Sequence, residues 1–343
     1  MKVPRCRCCY IPPFILENLA KAGVDDARIS VHASAQSRDN RESKSVPLGT
    51  LAGVTTTPAG TASRQVYDCQ TQWEKQIKLV RGEGDPVTVD DSVNHTYDFA
   101  GKVRDYYKQV LNRNSIDNIG LNLILNVHYG TKYMNAFWDG EEMTFGDGDG
   151  TIFADFTKSL DVIAHELTHG VTQHTANLQY SGQSGALNES FSDVFGTMIS
   201  QWVNGETAHN ADWLIGDEVM GPSLYGEALR SMREPGTAYD NPLLGKDLQP
   251  GHMKDYYSGP DDNQGVHINS GIPNKAFYLA SMDMGTDVAA LIWYTGLQKL
   301  WPTANFNDAV TVMAEAARLL VKAGQIHAGA PQKVRAAFKA VGL

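Results

Sequence analysis

The sequence has no long apolar run. No segment approaches the roughly 18 consecutive apolar residues that a membrane-spanning helix needs. The apolar stretch from Tyr10 to Leu16 is short and is interrupted by Pro12 and Pro13, so it is not the apolar region of a secretory signal peptide. We therefore expect no transmembrane segment. We also expect the chain either to stay in the cytoplasm or to be secreted by a route that uses no signal peptide.

Cysteine is scarce and unevenly placed. Three of the four cysteines, Cys6, Cys8 and Cys9, lie within the first nine residues, and Cys69 is the remaining one. This spacing is not the disulfide framework that stabilises small secreted domains. The three early cysteines are either incidental or available to bind a metal ion.

The chain also lacks positive charge. It carries 29 Lys and Arg residues against 39 Asp and Glu residues, a formal net charge of -10 at pH 7. Since phosphate binding needs a basic surface, this balance argues against nucleic acid as the main partner. Residues 1–50, called the leader below, hold eight basic and five acidic residues, so the leader is basic and the remainder is acidic. This asymmetry favours electrostatic docking of the leader on the rest of the chain.

The order of local patterns predicts an α+β fold with two main domains. Residues 30–64 are rich in Ser, Thr, Ala and Gly, and we interpret them as a linker that is open to cleavage. Residues 51–159 contain turns and short apolar runs, which predict a β-rich domain with one helix near residues 97–111. Residues 160–343 show mainly helical spacing of apolar residues, which predicts an α-helical domain. The predicted helices of this domain cover residues 160–176, 186–205, 273–284, 288–300 and 306–324.

The most informative motif is HELTH at residues 165–169. His165 and His169 are four residues apart, so on a helix they lie on one face, one turn apart. Two imidazoles in that arrangement reach one tetrahedral zinc ion at about 2.0–2.1 Å. Glu166 lies close enough to touch a water molecule on such a metal ion without being a ligand, which suits it to the role of general base.

A second predicted helix supplies acidic groups at the same spacing. Glu189 and Asp193 would face the first helix if residues 181–185, SGQSG, form the turn. Glu189 is then the candidate third zinc ligand, and Asp193 the candidate acceptor of a hydrogen bond from a ligand histidine. An exposed acidic stripe is the alternative interpretation. A His/His pair followed by a Glu/Asp pair on consecutive helices favours the metal site.

One other zinc-peptidase layout does not fit. The pattern HExxHxxGxxH needs Gly and His at two positions where this chain has Thr172 and Thr175. His174 lies five residues past His169, about 140° round the helix axis from it, and we interpret it as a non-ligand.

Over residues 65–343 the chain resembles the thermolysin family of metallopeptidases. The motifs that carry the resemblance are NAFW at 135–138, GDGDG at 146–150, DVIAHELTHGVT at 161–172, GALNESFSDVFG at 185–196, ALRSM at 228–232 and DNQGVHINSGIPNKAFY at 262–278. The resemblance implies a β-rich N-terminal domain, an α-helical C-terminal domain and one catalytic zinc ion in the cleft between them. It also implies hydrolysis of peptide bonds in peptides or proteins.

The resemblance assigns roles to residues that match these motifs. The implied zinc ligands are His165, His169 and Glu189, and Glu166 is the implied general base. Negative charge on the reacting carbonyl would be stabilised by Tyr180 and His267, with Asp262 orienting His267. The groups that would bind the substrate backbone are Asn135, the backbone of Ala136, and Arg230. The groups that would hold the two zinc-bound histidines are Asn188 and Asp193.

The resemblance also implies a specificity pocket. Its lining is apolar throughout and consists of Phe153, Phe156, Val162, Ile215 and Leu229. We therefore expect cleavage before Leu, Ile, Val or Phe.

The calcium pattern of the family is incomplete in this chain. Asp161, Asp212 and Asp217 match carboxylates of the family's double calcium site, whereas Ser200 and Leu214 stand where two further acids are expected. Because a calcium ion takes roughly six to eight oxygen ligands, we expect at most one calcium ion.

The leader resembles that of the protealysin-like subgroup, whose members have a short propeptide. The resemblance rests on YIPPFIL at residues 10–16. In that subgroup a leader cysteine is thought to bind the zinc ion, and a thiolate is a good zinc ligand. Cys9, directly before the motif, is the first candidate, ahead of Cys6 and Cys8. We expect residues 1–50 to be an inhibitory propeptide that is cut within residues 40–60.

Two other function classes are weighed against an endopeptidase. A non-catalytic zinc protein would use the same fold for binding alone, and the presence of Glu166 and His267 disfavours it. A metallo-aminopeptidase needs an acidic anchor for the free amine, and no motif supplies one. We therefore predict a monomeric, zinc-dependent neutral endopeptidase in a latent precursor form. Its partners would be peptide substrates and its own propeptide.

Overall fold

The computed structural model describes residues 2–3, 8–43, 46–47 and 62–343. Cys6 and most of the predicted cleavage region lie outside these residues. Within the leader, the two short strands β1 (Lys2–Val3) and β2 (Val46–Pro47) pair antiparallel.

The leader contains two helices. The first, α1 (Pro13–Lys21), begins at a proline, whose missing N–H has no partner to lose in the first turn. The second, α2 (Asp25–Ser43), covers much of the segment predicted to be a linker, so that prediction is wrong for residues 30–43. The composition concealed this helix because, among residues 25–38, whose burial is described, the buried side chains are small and mostly polar: Ala27, Ser30 and Ser34.

The β-rich part is built on a five-stranded mixed sheet in the order β4-β3-β5-β7-β6. Its strands are β3 (Arg64–Asp68), β4 (Lys78–Arg81), β5 (Leu123–Val127), β6 (Ala136–Trp138) and β7 (Met143–Phe145). β5 runs parallel to β3 and β7, and β6 pairs antiparallel with β7 at the edge of the sheet. An edge strand offers backbone groups to which a further extended segment can bind.

One long helix packs on this sheet. It is α3 (Asp91–Gln109), which contacts β3 and β5 and begins six residues before the predicted helix. Asp90 is its N-cap, and its carboxylate accepts hydrogen bonds from the backbone N–H groups of Ser92 and Val93.

The rest of the chain is mainly helical. Its helices are α4 (Leu160–Gln173), α5 (Gly182–Asn204), α6 (Asp261–Asn269), α7 (Gly271–Met284), α8 (Thr286–Leu297), α9 (Phe306–Lys322) and α10 (Ala330–Ala340). Short strand pairs lie between α5 and α6: β8 (Leu214–Ile215) with β9 (Arg230–Ser231), and β10 (Asp240–Asn241) with β11 (Gly245–Lys246). The predicted α+β class is confirmed. The predicted helices are present with their ends shifted by a few residues, whereas α6 and α10 had not been predicted.

Contacts between Cα atoms divide the chain into two compact units. The first consists of residues 1–171, 216–227 and 241–245, and it contains the leader helices, the sheet, α3 and most of α4. The second consists of residues 172–215, 228–240 and 246–343, and it contains helices α5 to α10. No helix among the described residues is long and apolar enough to cross a membrane.

Candidate active site

Helix α4 presents two buried histidines on one face. The Nε2 atoms of His165 and His169 lie 3.1 Å apart, and the two rings meet edge to face with centroids 4.8 Å apart. Two nitrogen ligands at about 2.0–2.1 Å from a tetrahedral zinc ion are about 3.3 Å from each other. The observed separation therefore fits two ligands of one metal ion.

Glu166 follows His165 on α4 and is fully buried. Its Oε2 atom accepts a hydrogen bond of 2.7 Å from the backbone N–H of Trp138 in β6. This charge-assisted bond holds the carboxylate in one orientation beside the edge strand.

Glu189 lies on α5 and is also buried. Its carboxylate accepts a hydrogen bond from the hydroxyl of Tyr180, and one of its oxygens lies 3.6 Å from Nε2 of His267. The ligand atoms of His165, His169 and Glu189 lie within 4.8 Å of one another. Among the described residues, one other group of this kind exists, which consists of Cys8, Glu166 and His169.

His267 is held by a carboxylate from an uncommon backbone turn. The four residues 262–265 all have positive φ, between 49° and 76°, so the chain makes a left-handed turn just before His267. One oxygen of Asp262 accepts the backbone N–H of His267 at 2.7 Å, and the other lies 2.6 Å from Nδ1 of the ring. The turn therefore aims both oxygens of one carboxylate at the same histidine.

The surroundings of His267 favour its charged form. Burial lowers the pKa of His267, but the carboxylates of Asp262 and Glu189 raise it by more, to about 9. The hydroxyl of Tyr180 lies 3.2 Å from Nε2 of the same ring. A phenol and an imidazolium, both hydrogen-bond donors, thus converge beside Glu189.

Arg230 forms a buried, doubly hydrogen-bonded pair with Asp193. Its Nε and Nη2 atoms each donate to a different oxygen of Asp193 at 2.9 Å, and Nδ2 of Asn274 donates to Asp193 at 2.8 Å. Asp193 is therefore connected to Arg230 and Asn274, and its proposed hydrogen bond to a ligand histidine stays a prediction. Nδ2 of Asn188 donates to the carbonyl oxygen of Leu178 at 3.3 Å.

The five residues assigned to the specificity pocket are all buried and apolar: Phe153, Phe156, Val162, Ile215 and Leu229. In the first unit, the rings of Phe153 and Phe156 lie 5.9 Å apart. In the second unit, the backbone N–H of Leu229 donates to the carbonyl oxygen of Ile215 at 2.9 Å. Their joint role as a pocket stays a prediction.

Comparisons with known proteins decide the family. Two models of one family match in succession: the thermolysin metallopeptidase catalytic domain over residues 25–173, and the alpha-helical domain over residues 176–343. The chain is also 48% identical over 300 residues to an extracellular metalloprotease of Pectobacterium carotovorum subsp. carotovorum, with 84% of each chain covered. The chain belongs to the thermolysin family of metallopeptidases.

Two further relatives narrow the subgroup. Protease PrtS of a Photorhabdus species (strain Az29) is 44% identical over 296 residues, which cover 84% of this chain and 80% of the relative. The solved precursor of protealysin, a metalloproteinase from Serratia proteamaculans, is 42% identical with a TM-score of 0.86. That match covers 98% of this chain and 99% of the protealysin precursor. This member of the thermolysin family is therefore of the protealysin type, with the expected two-domain fold, and it is a zinc metalloendopeptidase.

The residues present fit the zinc ion that the thermolysin family implies. Two imidazoles and one carboxylate are the ligand set of many catalytic zinc sites, which keep a further position open for water or substrate. His165, His169 and Glu189 supply this set from buried positions, with two nitrogens already at a suitable separation.

Leader residues Cys8 and Tyr10 lie beside the histidines of α4. Their placement shows that one prediction about the leader is wrong. The side chain of Cys9 packs against Tyr133 and Phe137, on the aromatic side of the edge strand. The cysteine grouped with Glu166 and His169 is Cys8, so Cys9 is not the leader cysteine nearest the zinc ligands. Cys8 is disulfide-bonded, whereas Cys9 is buried and forms no disulfide.

The adjacent leader residues bind the groups that the resemblance assigned to substrate. The backbone N–H of Tyr10 donates to the carbonyl oxygen of Ala136 at 2.9 Å. The side chain of Asn135 brackets Ile11, accepting its N–H at 2.8 Å and donating to its carbonyl oxygen at 3.2 Å. The ring of Tyr10 lies 5.1 Å from that of His165 and 6.4 Å from that of Phe156.

The carboxylates predicted for calcium have other partners as well. Asp161 accepts hydrogen bonds from the hydroxyl of Ser159 and the backbone N–H of Gly216, and Asp212 accepts from the backbone N–H of Leu214. Among the described residues, neither of the two groups of potential metal ligands includes Asp212 or Asp217. Binding of at most one calcium ion stays a prediction.

Sequence reasoning missed three contributors to the site. Tyr10 stands out in the sequence only as part of a motif, and nothing in its identity indicates that it is buried beside His165. Asn274 gave no signal of its own, because a buried asparagine cannot be told from a surface one in a sequence. The sequence also does not show that the backbone N–H of Trp138 binds Glu166, because every residue except proline has such a group.

Proposed function

We propose that this thermolysin-family enzyme cleaves peptide bonds before bulky apolar residues, and that its full-length form is latent because the leader covers the active site. The observation that carries the first part is the convergence of His165, His169 and Glu189, with Glu166 beside them. The second part rests on the leader's hydrogen bonds to Asn135 and Ala136.

The proposed chemistry divides between the metal ion and the protein. A zinc ion held by His165, His169 and Glu189 supplies a Lewis acid, which polarises the substrate carbonyl and lowers the pKa of a water molecule. Glu166, oriented by Trp138 N–H, accepts a proton from the attacking water on its carboxylate and passes it to the leaving amine. Proton transfer by a positioned carboxylate typically contributes about 10²- to 10⁴-fold in rate.

His267 and Tyr180 serve as donors to the carbonyl oxygen on which negative charge develops. Their donor atoms are 3.2 Å apart, and Asp262 keeps the imidazole oriented and charged. Loss of one such preorganised donor typically costs about 10²- to 10³-fold in kcat. Asn135 and Ala136 hold the substrate backbone, and Arg230, fixed by Asp193, holds the carbonyl beyond the cleaved bond.

Specificity follows from the proposed apolar pocket. Burial of a Leu or Phe side chain there contributes about 1.5–3 kcal/mol relative to leaving it in water, whereas an unpaired charge is disfavoured. A peptide library should show cleavage before Leu, Ile, Val or Phe. A preference for a charged residue at that position would refute the proposed lining.

Latency is supported by the way the leader occupies these same groups. Tyr10 and Ile11 bind the edge strand where the substrate backbone would bind, so leader and substrate exclude each other. Tyr10 is fully buried, with its ring beside Phe156 of the proposed pocket. A substrate therefore cannot bind until this segment leaves.

Helix α2 also binds next to the edge strand, through three polar side chains that are spaced four residues apart. Asp26 accepts from Nζ of Lys132 at 3.0 Å, and the Ser30 hydroxyl accepts from the N–H of Met134 at 3.0 Å. The Ser34 hydroxyl hydrogen-bonds to the Tyr133 hydroxyl at 2.9 Å. These contacts hold the leader on the segment directly before β6.

A cysteine switch is the finer part of the latency proposal, with Cys8 in place of Cys9. Reduced Cys8 would offer a thiolate as a zinc ligand beside His169 and would displace the water molecule. Because Cys8 is disulfide-bonded, the switch first needs two-electron reduction of that bond, for example by a dithiol that is itself oxidised to a disulfide.

The switch is tested with Cys8→Ser and Cys9→Ser precursors under reducing conditions. We expect Cys8→Ser to lose part of its latency and Cys9→Ser to keep it. In Co²⁺-substituted precursor, thiolate-to-cobalt absorption should disappear only in Cys8→Ser. Unchanged latency and absorption in Cys8→Ser would rule out the switch while leaving the steric block in place.

We also propose that the enzyme acts outside the cell, since the relative from Pectobacterium is named as extracellular. Cytoplasmic action is the alternative. Activity measured in culture medium and in washed, lysed cells of the producing organism separates the two.

The central test compares wild type and Glu166→Gln, after processing, on casein with and without a zinc chelator. We expect Glu166→Gln to lose at least about 100-fold in rate and the chelator to abolish hydrolysis by the wild type. Glu315→Gln, an exposed position on α9, is the matched control and should behave as wild type. Equal activity of wild type and Glu166→Gln would refute the proposed endopeptidase mechanism.

A further inference from the structure

Gly185 lies where three segments of the proposed active site meet. It is in the first turn of α5, four residues before Glu189, so the two residues share a face of the helix. A Cβ atom built on Gly185 would lie less than 3.0 Å from Cγ1 of Val266 and 3.0 Å from the carbonyl carbon of Tyr180. Val266 directly precedes His267. The glycine therefore touches the segments that carry both proposed donors.

Neither neighbour can easily move away from an added side chain. Val266 is fully buried, and the neighbouring atom of Tyr180 belongs to the backbone, which no rotamer change can displace. Carbon atoms in normal contact are about 3.5–4.0 Å apart, so a methyl group at residue 185 requires a displacement of roughly 0.5 Å or more. The displacement would move the segments that carry Tyr180 and His267. In the structure, Nε2 of His267 lies 3.2 Å from the Tyr180 hydroxyl and 3.6 Å from an oxygen of Glu189.

A second glycine of α5 also lies close to the segment before His267. Gly182, three residues earlier on α5, has a φ of 56°, and a Cβ atom there would lie 3.1 Å from Oε1 of Gln264. Gln264 belongs to the left-handed turn that positions Asp262 and His267. At Gly182 the neighbouring atom is the end of a flexible side chain, so Gly185 is the glycine at which an added side chain would meet atoms that cannot easily move.

We propose that Gly185 is a positioning residue for the reaction. Its missing side chain lets the segment of Val266 and His267 lie close enough to α5 for Tyr180 and His267 to act on one oxygen atom beside Glu189. This inference rests on the proposed roles of Tyr180 and His267. It adds that their geometry is set by backbone packing at a residue that touches neither substrate nor metal.

The test is Gly185→Ala in the full chain, assayed after processing on a peptide with a Leu after the cleaved bond. Small misplacements of reacting groups can cost up to about 100-fold, so we expect kcat to fall by about 10- to 100-fold. KM should change by less than about threefold, because the groups proposed to bind the substrate backbone are not displaced. Zinc content per chain should stay as in the wild type.

A second substitution distinguishes positioning from general damage. Val266→Ala removes the Cγ1 atom that the new methyl group would meet at the shortest distance but leaves the contact with the Tyr180 backbone. Gly185→Ala/Val266→Ala should therefore recover part of the lost kcat, by at least about threefold over Gly185→Ala. Val266→Ala alone should keep its kcat. Gly296→Ala, whose added Cβ would meet the flexible end of Met313 on α9, is a matched helix glycine remote from the proposed donors and should keep its kcat.

A Gly185→Ala enzyme with wild-type kcat overturns the proposal, and so does a loss that Val266→Ala does not relieve. If Gly185→Ala does not fold, Val266→Ile enlarges the opposite side of the same contact, and an unchanged kcat there overturns it equally. Absence of zinc-dependent hydrolysis in the wild type would instead refute the proposed function, so the two failures are distinguishable.

Discussion

Raising the pH from 6 to 9.5 should destabilise the sheet-bearing unit through one side chain, His128. Its Nδ1 atom lies 2.8 Å from Asp147 in the loop after β7, and its Nε2 atom lies 3.0 Å from Asp90, the N-cap of α3. The hydrogen bond to Asp147 is the main cause that raises the pKa of His128 to about 9, with Asp90 adding to it and burial opposing it. The protonated ring therefore joins two acidic groups from separate elements.

The sign and size of the effect follow from this pKa. The ordinary value of 6.5 applies to the unfolded chain, so the protonated ring stabilises the folded state fully below about pH 6.5. That stabilisation falls as the pH rises from about 6.5 and is gone above about pH 9. The full shift corresponds to about 3 kcal/mol, and partial exposure of the ring to solvent reduces this to about 1–2 kcal/mol.

The assay is thermal unfolding of wild type and His128→Asn at both pH values. Asparagine is chosen because residue 128 has a φ of 55°, which asparagine tolerates, and because it cannot become charged. Between pH 6 and 9.5 the wild type should lose roughly 2–5 °C more in Tm than His128→Asn. The exposed His209→Asn variant should follow the wild type. Equal pH dependence of wild type and His128→Asn would refute the assignment.

Three further outcomes are expected. Asp262→Asn removes the charge that orients His267 and should lower kcat by about 10- to 100-fold in steady-state assays with little change in KM; an unchanged kcat would contradict the role. Tyr10→Ala removes the buried leader ring and should raise the initial rate of unprocessed precursor by at least about tenfold, whereas Ile29→Ala on the exposed face of α2 should not; equal rates would argue against Tyr10 as an anchor. Calorimetric titration with calcium should show one site at most, and two tight sites would refute the prediction from Ser200 and Leu214.

The two histidines that we propose as zinc ligands on α4 could be brought together from the sequence because one regular element carries them. On any helix, residues four apart share a face, so the spacing of His165 and His169 already fixes their relation. Helix α5, which carries Glu189, was recognisable for the same reason, from its apolar spacing. The family resemblance then joined these residues to Tyr180, Arg230 and His267, which no periodicity would have singled out.

The contact between Asp262 and His267 could not be derived from spacing. The two residues are five positions apart, a spacing at which an α-helix turns its side chains well away from each other. The left-handed turn at residues 262–265 brings them together, and three of these four residues are not glycine. Backbone conformations of this kind are uncommon for such residues and are held by the surrounding structure, so composition does not reveal them.

Helix α2 escaped prediction for a different reason. A helix is usually recognised by large apolar residues at three- and four-residue steps. The docking face of α2 instead uses small side chains and one ion pair, through Asp26, Ser30 and Ser34. Such a face is suited to a segment that we propose to leave, because a large apolar face would be left exposed on both parts after separation.

The places of Cys8, Cys9 and Tyr10 explain why the leader cysteine was misassigned, and they sharpen the latency proposal. Cys8 and Tyr10 lie next to the histidines of α4, while the Cys9 side chain packs against Tyr133 and Phe137. The order of residues in the sequence does not reveal which of two adjacent cysteines lies near the histidines. Two leader residues that are two positions apart, Cys8 and Tyr10, thus lie beside the same pair of histidines and belong to one short segment. The positions of Cys8 and Tyr10 both depend on the hydrogen bonds that Tyr10 and Ile11 make with Ala136 and Asn135. Weakening these hydrogen bonds should therefore release Cys8 and Tyr10 from the histidines together rather than one by one.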